Sequence, residues 1–184
     1  MSKTRQRWTT DYHSDYATRA DLCNALTDEI NVLYLLAFLL TTNHVDAEHC
    51  VSSTADQVFK SNRIFKQWAT SWIRRALIMS AITTVFNISN RDQRKPVQWF
   101  SEQNQLGLAV DAIIHLADLD RFVFVMSFLE RHSVHECSLL LGVSPGKIIE
   151  SRIRALRDLQ TVAPVFDEFS SGSFSNIGLL GRCI

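Results

Sequence analysis

Cationic side chains recur in the stretch "HECSLLLGVSPGKIIESRIRALRDL", residues 135–159. Lysine and arginine bind phosphates and can recognise guanine edges, so Lys147, Arg154 and Arg157 are candidate nucleic-acid contacts. The hydroxyl of Ser151 could add a hydrogen bond to a base edge. On a wheel with 100° per residue these four side chains share one arc. The spacing therefore predicts a polar face that points outward.

Helix signals surround this face and predict how it is held. Ser133 and Glu136 have the spacing of a capping box, and Gly142 is the residue expected where a helix ends with positive φ. Ser144 and Pro145 then suit the N-cap and first position of a last helix. The packing arc of that helix is expected to hold Ile148, Ile149, Ile153, Ala155, Leu156 and Leu159. Two helices around a glycine turn predict a helix-turn-helix, although such corners also occur as plain helical hairpins.

A second group of bases lies in the middle of the chain. Residues 28–56 contain five acids and no Lys or Arg, whereas residues 60–95 contain eight bases and one acid. This asymmetry suggests a polyanionic partner for the basic part. The candidate contacts there are Arg74, Arg75, Arg91, Arg94 and Lys95. Phe65, Trp68 and Trp72 could stack on single-stranded bases, but their helical spacing favours a mostly buried stripe on a helix from about Arg63 to Phe86.

Residue patterns for catalysis or metal binding are weak. His132, His135 and Cys137 form an HxxHxC cluster, but a zinc site would need a fourth ligand, and Cys137 suits a packing position. No nucleophile–base arrangement, phosphate-binding glycine loop or carboxylate pair stands out in the sequence. We therefore expect neither an enzyme, nor a metal site, nor a cofactor.

The whole chain predicts an all-α protein with two helical domains. It has 184 residues, 46% of them hydrophobic, only three prolines, and 19 acids balancing 19 Lys and Arg. We expect a helical bundle over residues 14–88, a charged linker over 89–104, a four-helix unit with the helix-turn-helix over 105–162, and a mobile tail over 163–184. Val165, Phe166 and Phe169 of the tail could dock locally. The longest apolar run, "VLYLLAFLL", is too short for a bilayer span, so no membrane association is expected.

Two stretches resemble the group-four, extracytoplasmic-function RNA polymerase sigma factors. "LADLDRFVFVMSFLERHSVHECSLLLGVSPG" is similar to the start of their C-terminal promoter-reading domain. "VDAEHCVSSTADQVF" and "FKQWATSWIRRALIM" are similar to two segments of their N-terminal domain. Both halves occur in the family's order, so the resemblance covers roughly residues 18–160. The chain also departs from the family: Ser52 and Ser53 replace a Gln-Glu pair, and Met79 replaces an aspartate.

The resemblance implies a function that composition alone does not. It implies a cytoplasmic transcription regulator that binds a promoter-like duplex, with Arg74 at the family's arginine position and Arg75 replacing its asparagine. It also implies that core polymerase would contact Asp46, Glu48 and His49, and that an anti-sigma-like regulator would be a partner. The departures leave a second reading open, in which the chain keeps the sigma architecture as a protein-interaction module and no longer melts or reads promoters.

Overall fold

The computed structural model describes residues 15–60, 63–86 and 105–160, and over these ranges the chain is all-α. Seven α-helices are present there: α1 (Arg19–Thr41), α2 (His44–Lys60), α3 (Ala69–Phe86), α4 (Gln105–Ile114), α5 (Asp118–Phe124), α6 (Val134–Leu141) and α7 (Pro145–Asp158). A 3₁₀ turn, Lys66–Trp68, precedes α3, and a π-helical turn, Val125–Leu129, continues α5. The all-α prediction is confirmed. The expected linker 89–104 and tail 163–184 lie outside the described residues, and the predicted domain boundaries stay predictions.

Helix α1 is the central helix of the N-terminal group. Its start is fixed by a capping box, in which the backbone N–H of Asp21 donates to the Thr18 hydroxyl and the Asp21 carboxylate accepts from the Thr18 backbone N–H at 2.8 Å. It ends at Thr42, whose φ of 58° is left-handed. Since α1 is apolar on nearly every side from Val32 to Leu40, this half can be covered by several neighbours, and α1 packs against α2, α3 and the C-terminal helices.

The N-terminal group consists of α1, α2 and α3, each packed against the other two. Its fully buried side chains include Leu33, Phe38, Leu40, Val58, Ile73 and Leu77. Helix α1 is also long and apolar enough, by composition, to pass a test for a membrane span. The core helix of a soluble protein can have the same length and composition; 39% of the apolar window of α1 is buried, and Leu36 to Thr41 of α1 are buried inside the protein. Composition alone is therefore weak evidence for a membrane here.

The C-terminal group is built around α5 and α7. Helix α5 packs along α7, α6 packs against α7, and α4 packs against α1 of the first group. Its fully buried side chains include Phe122, Val123, Met126 and Ile148. Because α5 lies between α1 and α7, the position of the last helix depends on how α5 is anchored to the N-terminal group.

The two groups of helices share one continuous hydrophobic core. The rings of Phe86 on α3 and Phe122 on α5 lie with their centroids 5.0 Å apart. The guanidinium of the buried Arg121 donates to the Leu40 carbonyl at the end of α1, with Nε at 3.2 Å and Nη2 at 3.1 Å. A helix C-terminus has carbonyls without intrahelical partners and carries a partial negative charge, so Arg121 both caps α1 and joins the two groups.

The start of α3 differs from the sequence prediction. We expected a helix from about residue 63 with Phe65, Trp68 and Trp72 on a mostly buried stripe. The α-helix begins instead at Ala69, and Trp68 in the preceding 3₁₀ turn is 58% exposed. Arg63 has a φ of 71°, which interrupts a regular helix before this turn. The buried positions of α3 are therefore Ala69, Ile73, Ala76, Leu77, Ile78, Ser80, Ala81 and Val85.

Candidate nucleic-acid interface

Helices α6 and α7 form the capped helical hairpin around Gly142 that the sequence predicts. Ser133 and Glu136 make the capping box of α6, with the Glu136 backbone N–H 3.2 Å from the Ser133 hydroxyl. Gly142 ends α6 with a φ of 65°, where a side chain would be strained. The Ser144 hydroxyl then accepts from the Lys147 backbone N–H, and Pro145 starts α7. These signals act over a few residues, which is why sequence alone could place them.

The buried face of α7 is rotated from the predicted one. Ile148, Ala155 and Leu159 are buried as expected, but Ile149, Ile153 and Leu156 are about half exposed. Ser151, expected on the outward face, is fully buried. The helix is turned so that its polar edge, rather than the whole apolar arc, meets α5. The wheel correctly grouped the residues by angle but could not say which arc the neighbouring helix covers.

Asp120 of α5 is the reason for this rotation. Its buried carboxylate accepts from the Ser151 hydroxyl and from Arg154, with Nε–Oδ2 at 3.0 Å and Nη2–Oδ1 at 2.8 Å. Burial alone would raise the pKa of Asp120, but the hydrogen bonds from Arg154 and Ser151 and the charge of Arg154 hold it below its usual value. A charged Asp120 thus pins α7 to α5 by its polar edge.

The candidate duplex contacts on α7 separate into two kinds. Ser151 is excluded from the interface, because its hydroxyl is sealed against Asp120. Arg154 keeps 46% of its side chain exposed while two of its nitrogens bind Asp120, so its guanidinium is oriented at the surface. Lys147 and Arg157 are exposed. Glu150 is exposed beside them and would repel phosphates.

Arg74, expected to contact DNA, is held between the two groups of helices. Its Nη2 and Nε bind Glu29 of α1 at 2.5 and 2.9 Å, and its Nη1 lies 3.3 Å from Glu130 beyond the π-helical turn. Only 21% of its side chain is exposed. Burial by itself would lower the pKa of Arg74, but the nearby carboxylates of Glu130 and Glu29 raise it. Burial also raises the pKa of Glu130, although the charge of Arg74 acts in the opposite direction. In this arrangement Arg74 closes an internal ion-pair network instead of facing a ligand.

The other sequence-predicted contacts fall in three places. Arg75, one residue along α3, is exposed. Arg91, Arg94 and Lys95 lie outside the described residues. Asp46, Glu48 and His49 lie in the first turns of α2, with Glu48 and His49 exposed and Asp46 half-buried. Helix α2 packs against α1 and α3, whereas α7 packs against α5 and α6.

An aromatic surface lies before α3, and it includes Phe65 and Trp68, for which the sequence favoured a buried position. The ring of Phe65 stacks on Tyr16 with centroids 4.6 Å apart, and Trp68 meets Phe65 edge-on at 5.1 Å. Tyr16 and Trp68 are 36% and 58% exposed. Beside them Lys66 is half exposed and lies 3.3 Å from Asp21. We call Tyr16, Phe65, Lys66 and Trp68 the aromatic platform; its sequence signal was the basic segment interleaved with Phe65 and Trp68.

No group of three or more His, Cys, Asp or Glu residues suited to a metal ion occurs in the described part of the chain. The residues of the HxxHxC cluster differ in burial. Cys137 is fully buried, and burial raises the pKa of its thiol to about 11, while His135 is exposed. A thiol that remains protonated and lies away from solvent is a packing group rather than a ligand.

The helix order and packing define a fold shared with sigma factors. The chain is similar to a sigma factor, RpoE from Bartonella quintana, whose structure was solved in complex with the anti-sigma factor NepR. The TM-score is 0.50 with 19% sequence identity, over 79% of this chain and 98% of that one. No family model matches the sequence, and no curated protein matches it. The likeness at this identity is one of fold.

Proposed function

We propose that this chain is a sigma-type, DNA-binding transcription regulator that acts in the cytoplasm and has no catalytic role. The observation that supports it best is the capped helix-turn-helix, in which α7 presents Lys147, Arg154 and Arg157 at its surface. Such a helix enters the major groove with its N-terminal residues near the base edges. Lys147 lies in the first turn of α7, and Arg154 is oriented by Asp120. Arg157 is placed further along the helix to meet a phosphate.

The aromatic platform supports a second contact, to single-stranded DNA. Exposed aromatic rings next to a cation are the usual means of binding unpaired bases, because any base can stack on a ring while the cation meets a phosphate. Trp68 and Lys66 offer this pair at the surface. In the proposal α7 binds duplex DNA and the platform binds an opened strand.

Two protein partners belong to the same proposal. The similar sigma factor was solved with an anti-sigma factor, which supports a regulator of that kind for this chain. Core polymerase is proposed to bind the exposed side of α2 at Glu48 and His49, with Asp46 beside them. Arg74 could meet DNA only after its pairs with Glu29 and Glu130 are broken, so we infer that it contributes little unless the two groups of helices separate.

The decisive measurement is DNA affinity as a function of salt, by fluorescence anisotropy on a labelled duplex. Each phosphate contact contributes about −0.9 to the slope of log K against log salt. We expect Lys147→Ala and Arg157→Ala each to reduce the slope by about one unit. Arg131→Ala is the matched control, since Arg131 is exposed but lies before α6. A slope that is flat in the wild type, or equal in all four proteins, would refute duplex binding by α7.

The remaining partners need their own experiments. Trp68→Ala should weaken binding to a labelled single strand by about 1–3 kcal/mol and leave duplex binding unchanged. For core polymerase, a pull-down with Glu48→Lys should show loss of binding relative to the wild type. Wild-type protein that captures no polymerase would remove that partner and leave the DNA contacts to be judged separately.

A second function, a sigma-like interaction module without promoter binding, is favoured by one observation. Three exposed side chains of α7 are apolar, Ile149, Ile153 and Leu156, where a duplex reader would carry polar groups. This candidate predicts no salt-dependent DNA affinity for any of the proteins above. The same titration therefore separates the two functions.

A further inference from the structure

The exposed apolar residues of α7 form one line along the helix. Ile149, Ile153 and Leu156 are 49%, 52% and 45% exposed, and their spacing of four and three places them on one side of α7. We call these three residues the apolar stripe. Charged residues border it: at 100° per residue, Arg152 falls on one side of the stripe, and Arg157 and the exposed Glu150 fall on the other. Arg152 also lies over the ring of Phe128, 5.0 Å from its centroid.

We propose that the apolar stripe is the docking site of this chain's own residues 165–169, "VFDEF". In this segment Val165, Phe166 and Phe169 are apolar, and Asp167 and Glu168 stand between the two phenylalanines. An apolar–acidic–apolar segment complements an apolar line bordered by arginines. Burying an aromatic side chain against such a surface is favourable, and the acids lie where they can pair with Arg152 or Arg157.

The chain's path permits the contact. Helix α7 ends at Asp158, and Leu159 and Gln160 have already left the α-helical conformation. Ile149 lies ten residues before Leu159, about 15 Å back along the axis at 1.5 Å per residue. An extended chain advances about 3.3 Å per residue, so the seven residues from Leu159 to Phe166 can reach any part of the stripe.

The size of the stripe favours a tethered segment over a second copy of the chain. Three half-exposed aliphatic side chains offer on the order of a few hundred Å², whereas a stable dimer buries about 800 Å² per partner. A segment joined by a short linker has an effective concentration in the millimolar range, so it can occupy a surface too small to hold a free partner. This inference does not depend on the proposed function.

The test is hydrogen exchange of residues 149–156 in the full-length protein, read by mass spectrometry. If the segment is docked nine-tenths of the time, exchange of the covered helix is slowed by about tenfold. The double variant Phe166→Ser, Phe169→Ser should therefore exchange about tenfold faster than the wild type. Phe174→Ser is the matched control: it makes the same change in the same tail outside the segment, and should leave exchange unaltered. The charge reversal Arg157→Glu should speed exchange, because it removes the partner of an acid in the segment. Adding Glu168→Lys should slow exchange again, because the pair is then restored with opposite signs.

Each alternative has its own result. Equal exchange in the wild type and the Phe166→Ser, Phe169→Ser variant overturns the proposal. Protection that grows with protein concentration, together with a dimer mass in light scattering, assigns the stripe to a second copy and overturns it too. Protection lost equally in the Phe174→Ser control shows a non-specific apolar tail and likewise refutes the pairing with 165–169.

Discussion

Replacing Arg121 by methionine tests whether a single guanidinium joins the two groups of helices. Arg121 is 3% exposed, and it donates to the Leu40 carbonyl, to the Leu116 carbonyl at 2.9 Å and to Asp118 at 2.7 Å. Methionine has a similar length and is apolar, so Arg121→Met preserves the packing volume and removes the donors. The variant isolates the polar link from the hydrophobic core around it.

The magnitude follows from the groups left behind. A buried carbonyl without a donor costs about 1–3 kcal/mol, and the change leaves two, at Leu40 and Leu116. Asp118 is 52% exposed and regains water, so its loss of a partner costs little. The variant no longer has to bury a charged guanidinium, and this gain offsets part of the cost of the two unpaired carbonyls. We expect the free energy of unfolding to fall by about 2–4 kcal/mol, and Tm by roughly 5–15 °C for a chain of this size.

The assay is thermal and urea unfolding followed by circular dichroism. Arg157→Met is the control, because Arg157 lies on the exposed face of α7 and such surface changes stay within about 0.5 kcal/mol. Arg121→Lys should recover only part of the loss, since one ammonium cannot bind the Leu40 and Leu116 carbonyls with the geometry of a planar fork. If Arg121→Met unfolds at the same temperature as the control, the guanidinium does not hold the groups together.

Three further outcomes follow from the structure. The pKa of Asp120 in the folded protein is held below its ordinary value of 3.8. The stabilisation that the charged Asp120 gives to the folded state is therefore complete above about pH 4 and is lost as the pH falls through the pKa of the folded state. The Tm difference between wild type and Asp120→Asn should vanish in acid. Gly142→Ala should cost about 1–2 kcal/mol in urea unfolding because its φ is 65°, whereas Gly146→Ala, inside α7, should stabilise by about 0.5–1 kcal/mol. The buried thiol of Cys137, with its pKa of about 11, should resist a thiol reagent at pH 8 that labels the exposed Cys23, as peptide mapping would show.

Contradicting results are equally specific. An Asp120→Asn variant whose deficit does not shrink at all as the pH falls below 3.8 would mean that the amide disturbs packing and that charge is not the source of the effect. Equal effects of alanine at Gly142 and Gly146 would show that the left-handed turn is not the cause. Labelling of Cys137 at the rate of Cys23 would show that α6 opens readily from α7.

Much of the fold could be read from local signals in the sequence. The apolar run of α1, the capping box at Ser133, the turn at Gly142 and the cap at Ser144 lie where the residue types predict them. Each depends on hydrogen bonds or backbone conformations within about four residues. The resemblance to sigma factors added the order of the two halves, and the fold likeness is in keeping with it.

Several candidate site residues were placed by partners far along the chain instead. Ser151 is buried because Asp120, 31 positions away, accepts its hydroxyl, and that pairing also exposes Ile149 and Ile153. Arg74 is enclosed by Glu29 and by Glu130, 45 and 56 positions away. A wheel gives the angle between residues on one helix but carries no information about which neighbour will cover each arc.

The sequence by itself determined that the chain is helical, and it determined the caps of α6 and α7 and the turn between them, because those features are decided by short-range hydrogen bonds and by the conformational freedom of single residues. Only the tertiary structure decided which cations face solvent and which are enclosed. Arg121 binds a carbonyl 81 positions away, and its chemistry alone does not separate it from Arg157, which lies on the surface. A buried charge requires a partner, and in this chain the partners are supplied by other helices.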